Sequence, residues 1–298
     1  MNKRLAVIDL GTNTFHIIIV EVIGNGAFKE LDRQRIRVSL AEESINRIGA
    51  AAFRRGIDAL KTFRHKLDIF EVERFRAIGT AALRTAANGL EFLAAAKNET
   101  GINIELIDGD EEAAYIYRGV QQAIRIEKPS LIMDIGGGSV ELILAGKNGV
   151  IDAQSFPVGI AVIFNNFIHS DPVSEEAVSK VFSFLEEATE PFFVRNAGYF
   201  PLDDLIGAAG SFEVLNRMMG IPHQAPIAYP AFHQLYEDIK STTLKERLAS
   251  DTIPKSRAQM ITSALILTEY ICRRAGINTI LLSEYALKEG AVLEMIKG

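Results

Sequence analysis

The chain carries the same short turn twice, in matching register. Asp9-Leu10-Gly11-Thr12-Asn13-Thr14 recurs as Asp134-Ile135-Gly136-Gly137-Gly138-Ser139, 125 residues later and without a gap. Ile18 and Ile143 extend the correspondence. Each copy of Asp-[Leu/Ile]-Gly-x-x-[Thr/Ser] lies between two apolar runs that read as strands. Two copies this far apart indicate a duplicated domain, not a solenoid. With 298 residues the chain has room for two domains. The polar stretch Arg125-Ile126-Glu127-Lys128-Pro129 is the natural link between them, giving domains 1–124 and 125–298.

Periodicity supplies the remaining elements. A third strand is expected over 27–32, a helix over 48–68, a buried strand over 75–79, a helix over 89–98 and a strand over 102–107. Asp110 is the expected N-cap of a helix over 111–124. In the second half, three strands over 131–133, 140–145 and 150–156 repeat the opening. Helices follow over 160–168, 174–190, 211–219, 230–240 and 255–275, with core strands at 205–206 and 280–282. A last helix over 287–296 is expected to pack back on the first domain.

Charge narrows the function. The net charge is -6, which disfavours general DNA binding. The first 118 residues are neutral overall, however, and residues 33–84 hold 12 basic against 6 acidic side chains. That excess reads either as solvated helix faces or as a local field that draws in a polyanion. The apolar run Leu5-Ala6-Val7-Ile8 stops at Asp9, too soon for a signal-peptide core. No apolar stretch reaches the length of a membrane span. The expectation is a soluble, cytoplasmic protein with no DNA or membrane partner. Cys272 is the only cysteine, so no internal disulfide can form. The scattered histidines, His16, His65, His169, His223 and His233, make no zinc motif.

A glycine-rich turn between strands lets backbone N–H groups converge on an anion, because glycine leaves no side chain in the way. Gly11, Thr12, Asn13 and Thr14 in one copy, with Gly136, Gly137, Gly138 and Ser139 in the other, are candidate phosphate-binding residues. The acid that opens each turn would repel a bare phosphate but can hold Mg²⁺ bridging to one. Tight hairpins alone would explain one such turn; two in register favour phosphate. Gly207-Ala208-Ala209-Gly210-Ser211 is a further strand-to-helix turn, read equally well as an anion site or a packing turn.

These motifs resemble the two phosphate loops of the actin/hexokinase/Hsp70 superfamily. More narrowly, the chain is similar to the exopolyphosphatase/guanosine pentaphosphate phosphatase (Ppx/GppA) family. Gly79-Thr80-Ala81-Ala82-Leu83-Arg84-Thr85-Ala86-Ala87-Asn88 resembles that family's arginine-bearing segment, and Asp108-Gly109-Asp110-Glu111-Glu112-Ala113 its Ser-Gly-x-Glu-Glu-Ala motif. Asp134 through Leu142 matches Asp-Ile-Gly-Gly-Gly-Ser-x-Glu-Leu. The resemblance implies an α/β fold class of two ribonuclease-H-like (actin-like ATPase) domains with an interdomain cleft. It implies Glu112 as catalytic base, Arg84 as a phosphate contact, and Asp134 and Glu141 as metal positions for Mg²⁺ or another divalent cation; Asp9, the acid that opens the first turn, is the third metal candidate. The implied reaction is release of terminal phosphate from polyphosphate, with pppGpp as the alternative substrate.

The residues alone leave two readings of Glu112 open: a first-turn acid that suits the helix dipole, or a base that deprotonates water. Four segments depart from the family pattern. Gly159-Ile160-Ala161-Val162-Ile163 has Val162 where an arginine is usual. Lys288 replaces the arginine of Gly-Leu-Arg-Glu-Gly, which keeps charge but loses the bidentate fork. Gln259 replaces an aspartate. Arg37-Val38-Ser39-Leu40 lacks the glycines of Arg-Leu-Gly-x-Gly. Fewer basic contacts predict weaker binding of long polyanions, and the absence of the long helical C-terminal extension of larger members predicts less processive release. A superfamily kinase and a catalytically weak phosphate or nucleotide sensor are the competing functions, and the sequence leaves room for a homodimer.

Overall fold

The computed structural model describes residues 3–24, 26–208, 210–222 and 225–297. Ala209 and His223, named above, lie outside them. The chain forms two compact units, one of residues 1–119 with 136–138 and 286–298, the other of residues 120–135 with 139–285.

The first unit opens on β1 (Arg4–Leu10), β2 (Thr14–Ile23) and β3 (Ala27–Arg37), an antiparallel meander. Then come α1 (Ala50–Ile69), β4 (Arg74–Gly79), α2 (Ala81–Thr85), α3 (Gly89–Thr100), β5 (Ile104–Leu106) and α4 (Gly109–Ala123). β4 and β5 join parallel to β1, giving the sheet order β3-β2-β1-β4-β5. Leu5 to Ile8 of β1 and Ile17 to Val20 of β2 are fully buried, as continuous apolar runs require when both sheet faces are covered. On α1, Ile57, Leu60, Phe63 and Leu67 make the buried stripe. Phe92 meets Phe15 and Phe53 edge-on, at centroid distances of 6.1 and 5.0 Å.

The second unit repeats this plan. It contains β6 (Ser130–Ile135), β7 (Val140–Gly146), β8 (Gly149–Phe156), α5 (Ile160–Phe167), α6 (Glu175–Arg195), β9 (Asp204–Ala208), α7 (Gly210–Met219) and β10 (Ile227–Ala228). It ends with α8 (Tyr229–Lys240), α9 (Leu244–Ala249), α10 (Ile261–Ala275) and β11 (Thr279–Leu282). Its sheet runs β8-β7-β6-β9-β11, the first unit's order, with β10 added beyond β11. The last helix, α11 (Leu287–Lys297), belongs to the first unit and packs on β1. Both units are ribonuclease-H-like α/β.

Several expected boundaries shift. β3 runs on to Arg37 because its whole length pairs with β2. α6 continues through Pro191 to Arg195, since burial of Phe192 and Phe193 outweighs the hydrogen bond that proline removes. α10 begins at Ile261, not 255, because residues 255–260 form turns around Pro254. The N-cap of α4 is Asp108 rather than Asp110. Asp108 Oδ1 accepts from the N–H groups of Asp110 and Glu111 at 3.0 and 2.9 Å, and Glu111 Oε2 accepts from Asp108 N–H at 3.2 Å. This capping box ties both ends of the first turn together, which Asp110 could not do from inside the helix.

Candidate active site

Strand register repeats along with sequence. Asp9 faces His16 across β1–β2, and Asp134 faces Glu141 across β6–β7. Directly opposed residues on an antiparallel pair point to one side of the sheet. Each turn therefore has an acid at its mouth with a polar partner beside it, a carboxylate in the second copy and an imidazole in the first. His16 thus occupies the place of Glu141, a correspondence carried by the 125-residue offset. Glu141 is buried, and its Oε1 accepts from Ser155 Oγ at 2.7 Å. Burial pushes the Asp9 carboxyl up; the nearby Lys288 ammonium opposes that rise and Glu289 adds to it. Lys288, the lysine at this family departure, is itself buried.

The glycines of the second turn meet the side chains of the first. A Cβ on Gly137 would lie 2.5 Å from Asn13 Nδ2, and one on Gly138 would lie 2.8 Å from Thr12 Oγ1. That Gly138 Cβ would also lie 3.7 Å from Ala81, the first residue of α2. α2 carries Arg84, whose Nη1 donates to the Ile107 carbonyl and lies 3.6 Å from Glu112 Oε2. One continuous neighbourhood of the first unit therefore holds Thr12, Asn13, Gly137, Gly138, Arg84 and Glu112.

Glu112 and Glu111 are neighbours with different surroundings. Glu111 is exposed and closes the capping box, whereas Glu112 is 6% exposed and faces Arg84. The dipole and cap therefore account for Glu111, not for the burial of Glu112.

For a metal, the opposed Asp134 and Glu141 offer two carboxylates. Among the described residues no three His, Cys, Asp or Glu side chains gather to hold an ion by themselves. Two hard oxygen donors suit Mg²⁺, which commonly takes one or two carboxylates and completes its shell with substrate phosphates and water. The basic excess of 33–84 is largely neutralised within the unit, by pairs such as Arg33–Glu289, Arg55–Glu42, Lys61–Glu99 and Arg76–Glu105. The solvated-face reading accounts for most of it. In the Gly207–Ser211 turn, a Cβ on Gly207 would lie 2.2 Å from the Phe212 ring, so packing alone explains that glycine.

A model of the Ppx/GppA phosphatase family matches residues 18–298. The chain belongs to the Ppx/GppA phosphatase family. An exopolyphosphatase from Cytophaga hutchinsonii is 34% identical, with a TM-score of 0.93 over 99% of this chain and 98% of that one. The Aquifex aeolicus PPX-GPPA enzyme is 25% identical, with a TM-score of 0.82 over 99% and 100%. Among curated relatives, the guanosine-5'-triphosphate,3'-diphosphate pyrophosphatase of Aeromonas hydrophila is 29% identical over 98% of this chain. The chain spans 59% of that relative's length. Among the described residues, no helix of this family member is long and apolar enough to cross a membrane.

Proposed function

We propose that the protein is an exopolyphosphatase-type phosphohydrolase that releases terminal orthophosphate from inorganic polyphosphate. The observation that carries the reading is the junction of Thr12 and Asn13 with Gly137 and Gly138, adjoining a buried Glu112 that faces Arg84. Backbone N–H groups of the two turns, with the hydroxyls of Thr12, Thr14 and Ser139, bind the phosphate oxygens. Glu112 accepts a proton from water as its oxygen attacks the terminal phosphorus. The bond from that phosphorus to the bridging oxygen breaks, and the shortened chain leaves with the electron pair. Arg84 has five N–H donors; those not used by Ile107 and Glu112 hold the charge that develops on the transferred group. Asp134, Glu141 and Asp9 are the residues that would hold Mg²⁺, which neutralises phosphate charge when bound.

Hydrolysis of pppGpp is the second reading, supported by the name of the Aeromonas relative. A phosphate-release panel with Mg²⁺ tests both, using polyphosphates of several lengths, pppGpp, ppGpp and ATP. Polyphosphate should give the highest kcat/KM. Faster turnover of pppGpp selects the second reading. Binding without release, or ATP-dependent phosphorylation of an acceptor, overturns hydrolysis in favour of a sensor or a kinase.

A further inference from the structure

Residues 38–42 follow the end of β3 and run beside the first turn before reaching α1, with no helix or strand, and Val38, Ser39 and Leu40 are buried. Their N–H groups all donate to that turn: Val38 and Ser39 to the Asn13 carbonyl, each at 3.0 Å, and Leu40 to the Thr12 carbonyl at 2.7 Å. A trans peptide is planar, with its C=O and N–H pointing in opposite directions. Fixing the Thr12 carbonyl on this segment therefore turns the Asn13 N–H to the other side.

The segment is itself anchored from α1. Arg55 Nε donates to the Val38 carbonyl at 2.9 Å, and its Nη2 donates to Glu42 Oε2 at 2.6 Å. Ser39 is held at φ 54°, the left-handed region that suits glycine, and its Oγ accepts from Arg37 Nε at 3.2 Å. A non-glycine residue persists there only where its surroundings over-determine the backbone. Three N–H donors to the turn, an arginine on Val38 and the burial of Val38, Ser39 and Leu40 supply that determination.

We propose that residues 38–42 form a strap that sets the first phosphate loop, with Arg55 as the positioning residue acting through Val38. This rests on reading Gly11–Thr14 as a phosphate loop. Arg55 reaches that loop only through the strap, so its effect is on how well the loop's donors are aimed. A donor set used in ground and transition states alike changes KM more than kcat when it is lost.

The test uses the full chain as wild type, Arg55→Ala, Arg55→Lys and Glu42→Gln. Phosphate release from tripolyphosphate, amide hydrogen exchange and thermal unfolding are measured on each. Arg55→Ala is expected to raise KM about tenfold, to leave kcat within threefold and to speed exchange over 12–14 and 38–40. Arg55→Lys, which keeps a donor for Val38, should recover most of the KM. Glu42→Gln should behave like wild type, because the Arg55–Glu42 pair is solvent-exposed. An unchanged KM in Arg55→Ala overturns the proposal. So does a loss that follows thermal stability and is no smaller in Arg55→Lys. If wild type releases no phosphate from any substrate, hydrolysis alone has failed, and tripolyphosphate affinity by calorimetry then decides. A tenfold loss in Arg55→Ala with recovery in Arg55→Lys supports the strap. Equal affinities, or no binding by wild type, overturn it.

Discussion

Glu111 and Glu112 stand side by side in the first turn of α4, and the structure assigns them separable effects. Glu111→Ala removes the acceptor for Asp108 N–H and opens the capping box. Such a loss costs about 0.5–1 kcal/mol of stability and leaves the buried carboxylate in place. Activity should stay within twofold. Glu112→Gln keeps shape and burial but removes the base. General base catalysis contributes about 10²- to 10⁴-fold, or about 2.7–5.5 kcal/mol of barrier. Its stability effect should be small, because two terms oppose. The pair with Arg84 at 3.6 Å is lost, and Arg84 is about a third exposed, which limits that loss to about 1 kcal/mol. Removing a charge from a site only 6% exposed offsets part of it. Phosphate release under saturating Mg²⁺, run beside urea unfolding, separates the two variants. The reasoning fails if Glu112→Gln keeps more than about a tenth of wild-type kcat, or if Glu111→Ala loses as much activity as Glu112→Gln.

Three further outcomes are expected. Gly290→Ala should lower stability by about 3 kcal/mol, read as a shift in urea midpoint, because the new Cβ would lie 1.8 Å from the Tyr115 carbonyl oxygen; a variant as stable as wild type would show that α4 and α11 can separate freely. Ser39→Gly should be neutral or up to about 1 kcal/mol more stable by the same measurement, since relief of the left-handed strain competes with glycine's larger unfolded-state entropy; a clear loss would mean that the serine hydroxyl matters more than its φ. Burial tends to raise the Asp152 carboxyl, but hydrogen bonds from Arg195 and Asn196 outweigh it and hold the group below its ordinary 3.8. The stability it adds is present above that value and lost as pH falls through the lower folded one. Thermal unfolding of Asp152→Asn should therefore trail wild type at neutral pH, with the gap closing below about pH 3.8; a gap constant with pH would count against the linkage.

The double turn made the fold legible, because a gapless repeat carries its strand register with it. Asp9 opposite His16 and Asp134 opposite Glu141 are consequences of that offset. The burial of Glu112 was not legible. Three consecutive acids at a helix start look alike in sequence, and only the reach of Asp108 to the N–H groups of Asp110 and Glu111 sorts capping from site. The strap was hidden for another reason. Its residues hydrogen-bond to a turn some 25 positions earlier, so no local period marks them. Pro191 misled in the opposite direction, since a strong local breaker yielded to the burial of two phenylalanines.

The return of α11 to the first unit bears on how the molecule is made. β1 is synthesised long before α11, yet they pack together, and Arg33 of β3 pairs with Glu289 at 2.9 Å. As the chain leaves the ribosome, the first unit must wait for the whole second unit before it can close. Until then the surface that α11 covers is open, and Arg33 has Glu30 but not Glu289. The second unit needs no residue before position 120 in its own body and can condense meanwhile. Folding order during synthesis is therefore inverted: the half begun first is completed last, and contacts of very long sequence separation set its pace.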